Sequence, residues 1–161
     1  MHTFSDSSGV YSVDMLIIWV KEYKPKTKIV NMEYVEHVLP FRTWNDGKED
    51  YSAIHVMINP KKYPDDMKRI REAQLKYPIL MCKGNVLDGF HRIARSYLNN
   101  KKTIKVIDVP ETVLKKVKLA KNHKELDSLG VHDIMALYLE RFQKKAKKPS
   151  SRVAKNPSQK K

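Results

Sequence analysis

The sequence predicts an α+β fold: a short mixed sheet flanked by helices, followed by two C-terminal helices and a basic tail. Three observations carry that expectation. The run Ile79-Leu80-Met81-Cys82, the turn Lys83-Gly84-Asn85 and the segment Val86-Leu87-Asp88 read as two strands joined by a tight turn. Gly89 then opens a helix that begins Phe90-His91-Arg92-Ile93-Ala94, and after the polar break Asn99-Asn100-Lys101-Lys102 a further strand runs from Thr103 to Val109. Strand, helix and strand in that spacing make a compact βαβ-like unit. With 161 residues, 41% of them apolar, the chain can bury one core but hardly two.

The other elements follow from local signals. Ser12 is placed to cap a helix whose apolar positions Val13, Leu16, Ile17 and Val20 share a face expected to pack on the sheet, and Pro25 stops it. Lys28 to Met32 suits a short edge strand, while Met32, Val35, Val38 and Leu39 suit a short helix ending at Pro40. Trp44-Asn45-Asp46-Gly47 is a turn signal, and Ser52 can cap a helix from Ala53 to Ile58 that stops at Asn59-Pro60. Pro64 suits the first turn of a helix to Gln74, with Asp65 and Asp66 at its positive end and Arg69 and Arg71 towards its negative end. Helices are expected from Pro110 to about Asn122 and, after the break Ser128-Leu129-Gly130, from about Val131 to Lys145, where Ile134, Tyr138 and Phe142 form a core stripe. The division expected is a flexible leader over 1–9, a domain over 10–109, a helical extension over 110–146 and a disordered basic tail over 147–161.

Charge narrows the partner class. The formal net charge is +14, and Arg141 to Lys161 holds nine Lys/Arg and no Asp/Glu, so the preceding 140 residues carry 23 basic against 18 acidic side chains. Such a surplus favours polyanions, with a solvated basic terminus as the alternative. The single cysteine, Cys82, excludes an intramolecular disulfide and a Cys-rich metal site, and points to a reducing compartment. No apolar run approaches the roughly 20 residues that span a bilayer, and Met1 to Gly9 lacks the regions of a signal peptide, so the expectation is a soluble intracellular protein with no membrane partner. The six histidines are scattered singly, and no Walker-type or Gly-x-Ser-x-Gly loop occurs.

The sharpest motif is Asp88-Gly89-Phe90-His91-Arg92, set between a strand and a helix. Backbone N–H groups at a helix start are unpaired and carry the positive end of the dipole, so an anion there would meet those donors and Arg92. Within the frame from Tyr77 to Val109 the motif resembles the ParB/sulfiredoxin-like superfamily, in which a Gly-x-[His/Arg]-Arg loop binds nucleotide phosphates. The spread of Trp44-Asn45-Asp46-Gly47, Asn59 to Pro64, Tyr77-Pro78-Ile79 and Asp88 to Arg92 also resembles ParB-like proteins of large DNA viruses. The resemblance implies Gly89 as the loop glycine, His91 and Arg92 as the basic pair over the phosphates of CTP or ATP with Mg²⁺, and Asp88 as a candidate base or Mg²⁺ ligand. Capping of the following helix is the alternative role for Asp88, a salt bridge within the fold for Arg92, and a hydrogen-bonded structural place for His91.

Phe90 departs from the family. Segregation proteins have a glutamate there, sulfiredoxin its catalytic cysteine and related free-serine kinases a histidine; phenylalanine supplies no base, nucleophile or metal lone pair. The reading leans away from an enzyme. The first expectation is a nucleic-acid-binding protein on a ParB-like scaffold, taking duplex DNA through phosphate contacts from Lys115, Lys116, Lys118, Lys121 and Lys124 and from Lys144, Lys145, Lys147 and Lys148 of the tail. The second is a nucleotide-dependent enzyme or switch, of the small-molecule kinase or nuclease kind; the third is an inactive scaffold that binds protein or chromatin. A homodimer is compatible with each. Lys144-Lys145-Ala146-Lys147-Lys148-Pro149 has the composition of a nuclear-localisation patch, which places the expected site of action in the nucleus or a viral factory of an infected cell, with virion packaging as a variant.

Overall fold

Strand pairing links segments far apart in the chain. The computed structural model describes residues 2–129 and 133–143, and the chain divides into unit 1, Met1–Lys24 with Pro110–Lys161, and unit 2, Pro25–Val109. In unit 1, β1 (Thr3–Asp6) and β2 (Gly9–Ser12) form an antiparallel hairpin, so the segment expected as a flexible leader holds a strand. Ser12 caps α1 (Val13–Tyr23), its hydroxyl accepting from the Met15 N–H at 3.1 Å, and Lys24 ends the helix in the left-handed region just before Pro25. Val13, Met15, Leu16 and Trp19 of α1 are buried.

Unit 2 begins with the edge strand β3 (Lys28–Asn31) and the short α2 (Glu33–Glu36), so both readings of that region are realised in sequence. A two-stranded turn, β4 (Trp44–Asn45) and β5 (Asp50–Tyr51), precedes α3 (Ala53–Ile58), capped by Ser52, and α4 (Pro64–Glu72). The sheet that follows holds β6 (Ile79–Cys82) and β7 (Asn85–Asp88), then after α5 (Phe90–Leu98) the strand β8 (Thr103–Asp108). Its order is β3-β8-β6-β7, with β6 and β8 parallel and the other pairs antiparallel, the mixed sheet that the α+β reading requires. The core lies against one face, where Ile79, Met81 and Val106 meet Ile93 and Ala94 of α5, Ile70 and Met67 of α4, and Val56 of α3. Lys83 and Gly84, with φ of 49° and 79°, make the tight β6–β7 turn.

The expected helix from Pro110 to Asn122 is corrected. After Val109, α6 (Glu111–Lys116) stops, and β9 (Lys118–Ala120) pairs with β2 through Val10↔Ala120 and Tyr11↔Lys118. Val117, Leu119 and Ala120 are buried, and the ladder to β2 outweighs the helix propensity of Leu, Ala and Lys. This pairing also places residues 9–24 with the C-terminal segment, where a single domain over 10–109 was expected. Then α7 (His123–Leu129) runs through the expected break at Ser128-Leu129, while α8 (Ile134–Tyr138) is followed by a π-helical turn over Leu139–Gln143. Tyr138 and Phe142 are buried and stacked at 4.4 Å, as the stripe predicts. The tail over 147–161 lies outside the described residues.

Candidate functional site

Gly89 joins β7 to α5 at φ 120° and ψ 18°, a conformation that L side chains rarely adopt. A Cβ there would lie 2.5 Å from Ile79 Cδ1 and 3.0 Å from Arg92 Nη2, so glycine is required both by backbone geometry and by close approach. The first helical hydrogen bond runs from Ile93 N–H to the Gly89 carbonyl at 2.9 Å, which leaves the donors of Phe90, His91 and Arg92 as the open end of α5. Phe90 is half-buried and packs against the core.

The two basic side chains after Gly89 diverge. Arg92 Nη2 donates to Asp88 Oδ2 at 3.0 Å and to the Pro78 carbonyl at 3.3 Å; the ion pair is mostly buried, with 19% and 17% of the two side chains exposed. Among the described residues, Arg92 Nε is buried and has no hydrogen-bond partner. Asp88 therefore takes the guanidinium, and no side chain caps α5, in place of the capping role expected for it. No group of three His, Cys, Asp or Glu able to hold a metal ion occurs among the described residues, and a carboxylate already bonded to Arg92 does not fit a Mg²⁺ site by itself.

His91 turns instead towards α4. Its Nε2 lies 3.1 Å from Asp66 Oδ1, and its ring stacks on Trp44 at 4.4 Å with an interplanar angle of 14°. A carboxylate only accepts, so neutral His91 carries its proton on Nε2 and a lone pair on Nδ1. Asp66 is buried, accepts a hydrogen bond from the Tyr51 hydroxyl through Oδ2, and has Arg69 Nη1 3.7 Å from Oδ1. Tyr51 stacks on Tyr63 at 4.3 Å. Burial raises the Tyr51 phenol well above its ordinary range, and the hydrogen bond to Asp66 adds to this. The result is a chain of hydrogen bonds, Tyr51 to Asp66 to His91, walled by aromatic rings.

Trp44, Tyr51 and Asp66 were not anticipated beside His91. The signal that could have found Asp66 is weak: its place in the first turn of α4 is explained equally by the helix dipole. Trp44 and Tyr51 flank a turn in which Asn45 and Asp46 accept from the N–H groups of Gly47, Lys48 and Glu49, and that hairpin carries the indole to the imidazole.

Burial pushes the His91 pKa below its ordinary value, and this outweighs the opposing pull of Asp66. The unfolded chain titrates near 6.5, so His91 contributes its full share of stability above that pH and loses it as the pH falls towards the lower folded value. The melting temperature is expected to drop as the pH falls below about 6.5, and to drop less in His91→Gln; equal slopes in a pH series of thermal melts would contradict this.

The lysines predicted to contact phosphate do not share one helix face. Lys115 and Lys116 end α6, Lys118 is in β9, Lys121 follows it and Lys124 is in α7. Lys115, Lys121 and Lys124 are exposed. Lys116 lies over the Phe142 ring at 5.1 Å, and the Lys118 stem crosses Gly9. Lys144, Lys145, Lys147 and Lys148 lie outside the described residues.

Comparison with known proteins adds one likeness. No family model matches the chain, and no curated protein does. A solved structure described as the C2221 form of a Pnob8-like ParB-N domain is similar to it at 17% identity and a TM-score of 0.31, over 84% of this chain and 50% of that one. The chain thus spans about half the length of the structure it matches. What the architecture shows is a mixed α+β fold. No helix among the described residues is long and apolar enough to cross a membrane.

Proposed function

We propose that this chain is a nucleic-acid-binding protein on a ParB-like scaffold, making sequence-independent contacts with the phosphates of duplex DNA. The observation that carries this reading is the charge layout: +14 overall, with nine Lys/Arg and no Asp/Glu from Arg141 to Lys161. Exposed Lys115, Lys121 and Lys124 support it, since among the described residues none of the three is in an ion pair. Cations held free of carboxylates release counterions from DNA on binding, and the affinity then falls steeply with salt. If about four phosphates are neutralised, raising salt from 50 to 200 mM weakens binding by about 100-fold. A fluorescence-anisotropy titration of random-sequence duplex against salt measures this, and salt-insensitive or absent binding would sink the reading. Removal of 144–161, which keeps the buried Phe142 and the Arg141 bonds to the Lys116 and Lys118 carbonyls, reports the share of the tail, and imaging the same variant in cells tests whether Lys144 to Lys148 direct the protein to the nucleus.

A second reading is favoured by the open donors at the start of α5 and the buried Nε of Arg92 without a partner among the described residues. Here the backbone donors that follow Gly89 and the guanidinium of Arg92 hold the phosphates of CTP or ATP, with His91, whose ring is bonded to Asp66, adding its backbone N–H. Calorimetric titration of the nucleotides tests it. Arg92→Ala is expected to abolish the heat of binding; unchanged binding would place any nucleotide elsewhere.

A further inference from the structure

The edge of the unit 2 sheet carries a cationic surface that the lysines named above do not include. Unit 2 holds 16 Lys/Arg against 10 Asp/Glu, and the 19 residues from Gly89 to Ile107 hold five Lys/Arg and no acid. The β3–β8 register pairs Ile29 with Lys105 and Asn31 with Thr103, and alternation puts these four side chains on one face. All four are exposed, Ile29 to 68%, while Val30, Ile104 and Val106 turn inward to the core. Lys101 and Lys102 stand at the end of this face on a pinned turn. Asn100 is left-handed at φ 55°, Lys101 N–H donates to the Ser96 carbonyl at 3.0 Å, and the Lys102 carbonyl accepts from Met32 N–H at 2.9 Å. The nearest strand acid, Asp108, is paired with Lys28 at 2.6 Å, in register with the inward-facing side. Glu33, at the start of α2, is the next acid after β3.

We propose that Lys101, Lys102 and Lys105, with Asn31 and Thr103 between them, form a second phosphate-binding surface that takes the backbone of duplex DNA; this rests on the nucleic-acid reading above. Its backbone is held by sheet and turn hydrogen bonds before any ligand arrives, so little main-chain ordering opposes binding. Ile29 supplies an apolar contact to sugars in the midst of the cations.

The test is a salt series of duplex binding with the full chain, its triple variant K101E/K102E/K105E, the neutral triple K101Q/K102Q/K105Q, and a control triple K48E/K61E/K68E on exposed lysines elsewhere in unit 2. The control makes the same change in net charge as the glutamate triple. Both patch triples are expected to lower the slope of log affinity against log salt by about 2 to 3, at roughly 0.9 for each phosphate no longer neutralised, with the control within about 0.5 of the parent. Ile29→Ser is expected to weaken binding with the slope unchanged. A patch triple that keeps the parent slope, or a control that lowers it equally, overturns this surface while leaving the nucleic-acid reading intact. A parent chain that binds no duplex overturns both. Thermal melts of the glutamine triple distinguish a weakened surface from a weakened fold.

Discussion

Replacing Gly89 by alanine is expected to destabilise unit 2 by about 3 kcal/mol. Two costs add: a non-glycine residue at φ 120° costs on the order of 1 to 3 kcal/mol, and a Cβ 2.5 Å from Ile79 Cδ1 must displace a fully buried side chain. Ile79 is wedged between the β8 ladder and the cluster of Met81, Ile93 and Val106, so it has little room to move. For a domain of this size the melting temperature should fall by roughly 10 °C or more. Gly84→Ala is the control. It also has a positive φ, of 79°, but a Cβ there meets nothing within 4 Å, and the expected loss is nearer 1 kcal/mol. Equal losses at the two positions would show that the close approach to Ile79 is not the cause.

Asp66→Ala is the second substitution with a large expected effect. It leaves the Tyr51 hydroxyl and His91 Nε2 without their common acceptor, in a place where Tyr51 is buried and His91 is packed under Trp44. Each stranded donor costs on the order of 1 to 3 kcal/mol, and the combined loss is expected to be about 3 kcal/mol. Denaturant unfolding of Asp66→Ala, Tyr51→Phe and the double variant measures the coupling. The double variant should lose clearly less than the sum of the two single changes, since removing the carboxylate and the hydroxyl together leaves one donor stranded instead of two. Strict additivity would mean that the hydrogen bond between Tyr51 and Asp66 carries no energy.

The local elements were readable because their signals sit within a few residues of one another. Ser12 to Pro25 frames α1, Ser52 to Asn59 frames α3, and Lys83-Gly84 marks the turn between β6 and β7; each depends on a cap, a proline or a positive φ that neighbouring residues settle. The site was half readable. The order Asp88-Gly89-Phe90-His91-Arg92 shows a strand-to-helix junction with a required glycine, yet nothing adjacent in the chain says where the two basic side chains turn.

Charge, motif order and the α+β class were written in the residues themselves. Three matters were decided by closure of the chain. Segment 118–120 became a strand because β2, more than a hundred residues earlier, offered an unpaired edge and buried Val117 and Leu119. Arg92 became one half of a mostly buried ion pair because the Pro78 carbonyl and Asp88 converge on it. His91 became oriented because α4 brings in Asp66, 25 residues away, and the hairpin brings in Trp44, and burial there shifts its titration downward against the pull of Asp66. Propensity and periodicity act over one or two turns of chain, whereas desolvation and hydrogen-bond partnership depend on which distant surfaces meet, and in this protein those meetings set the chemistry of the loop.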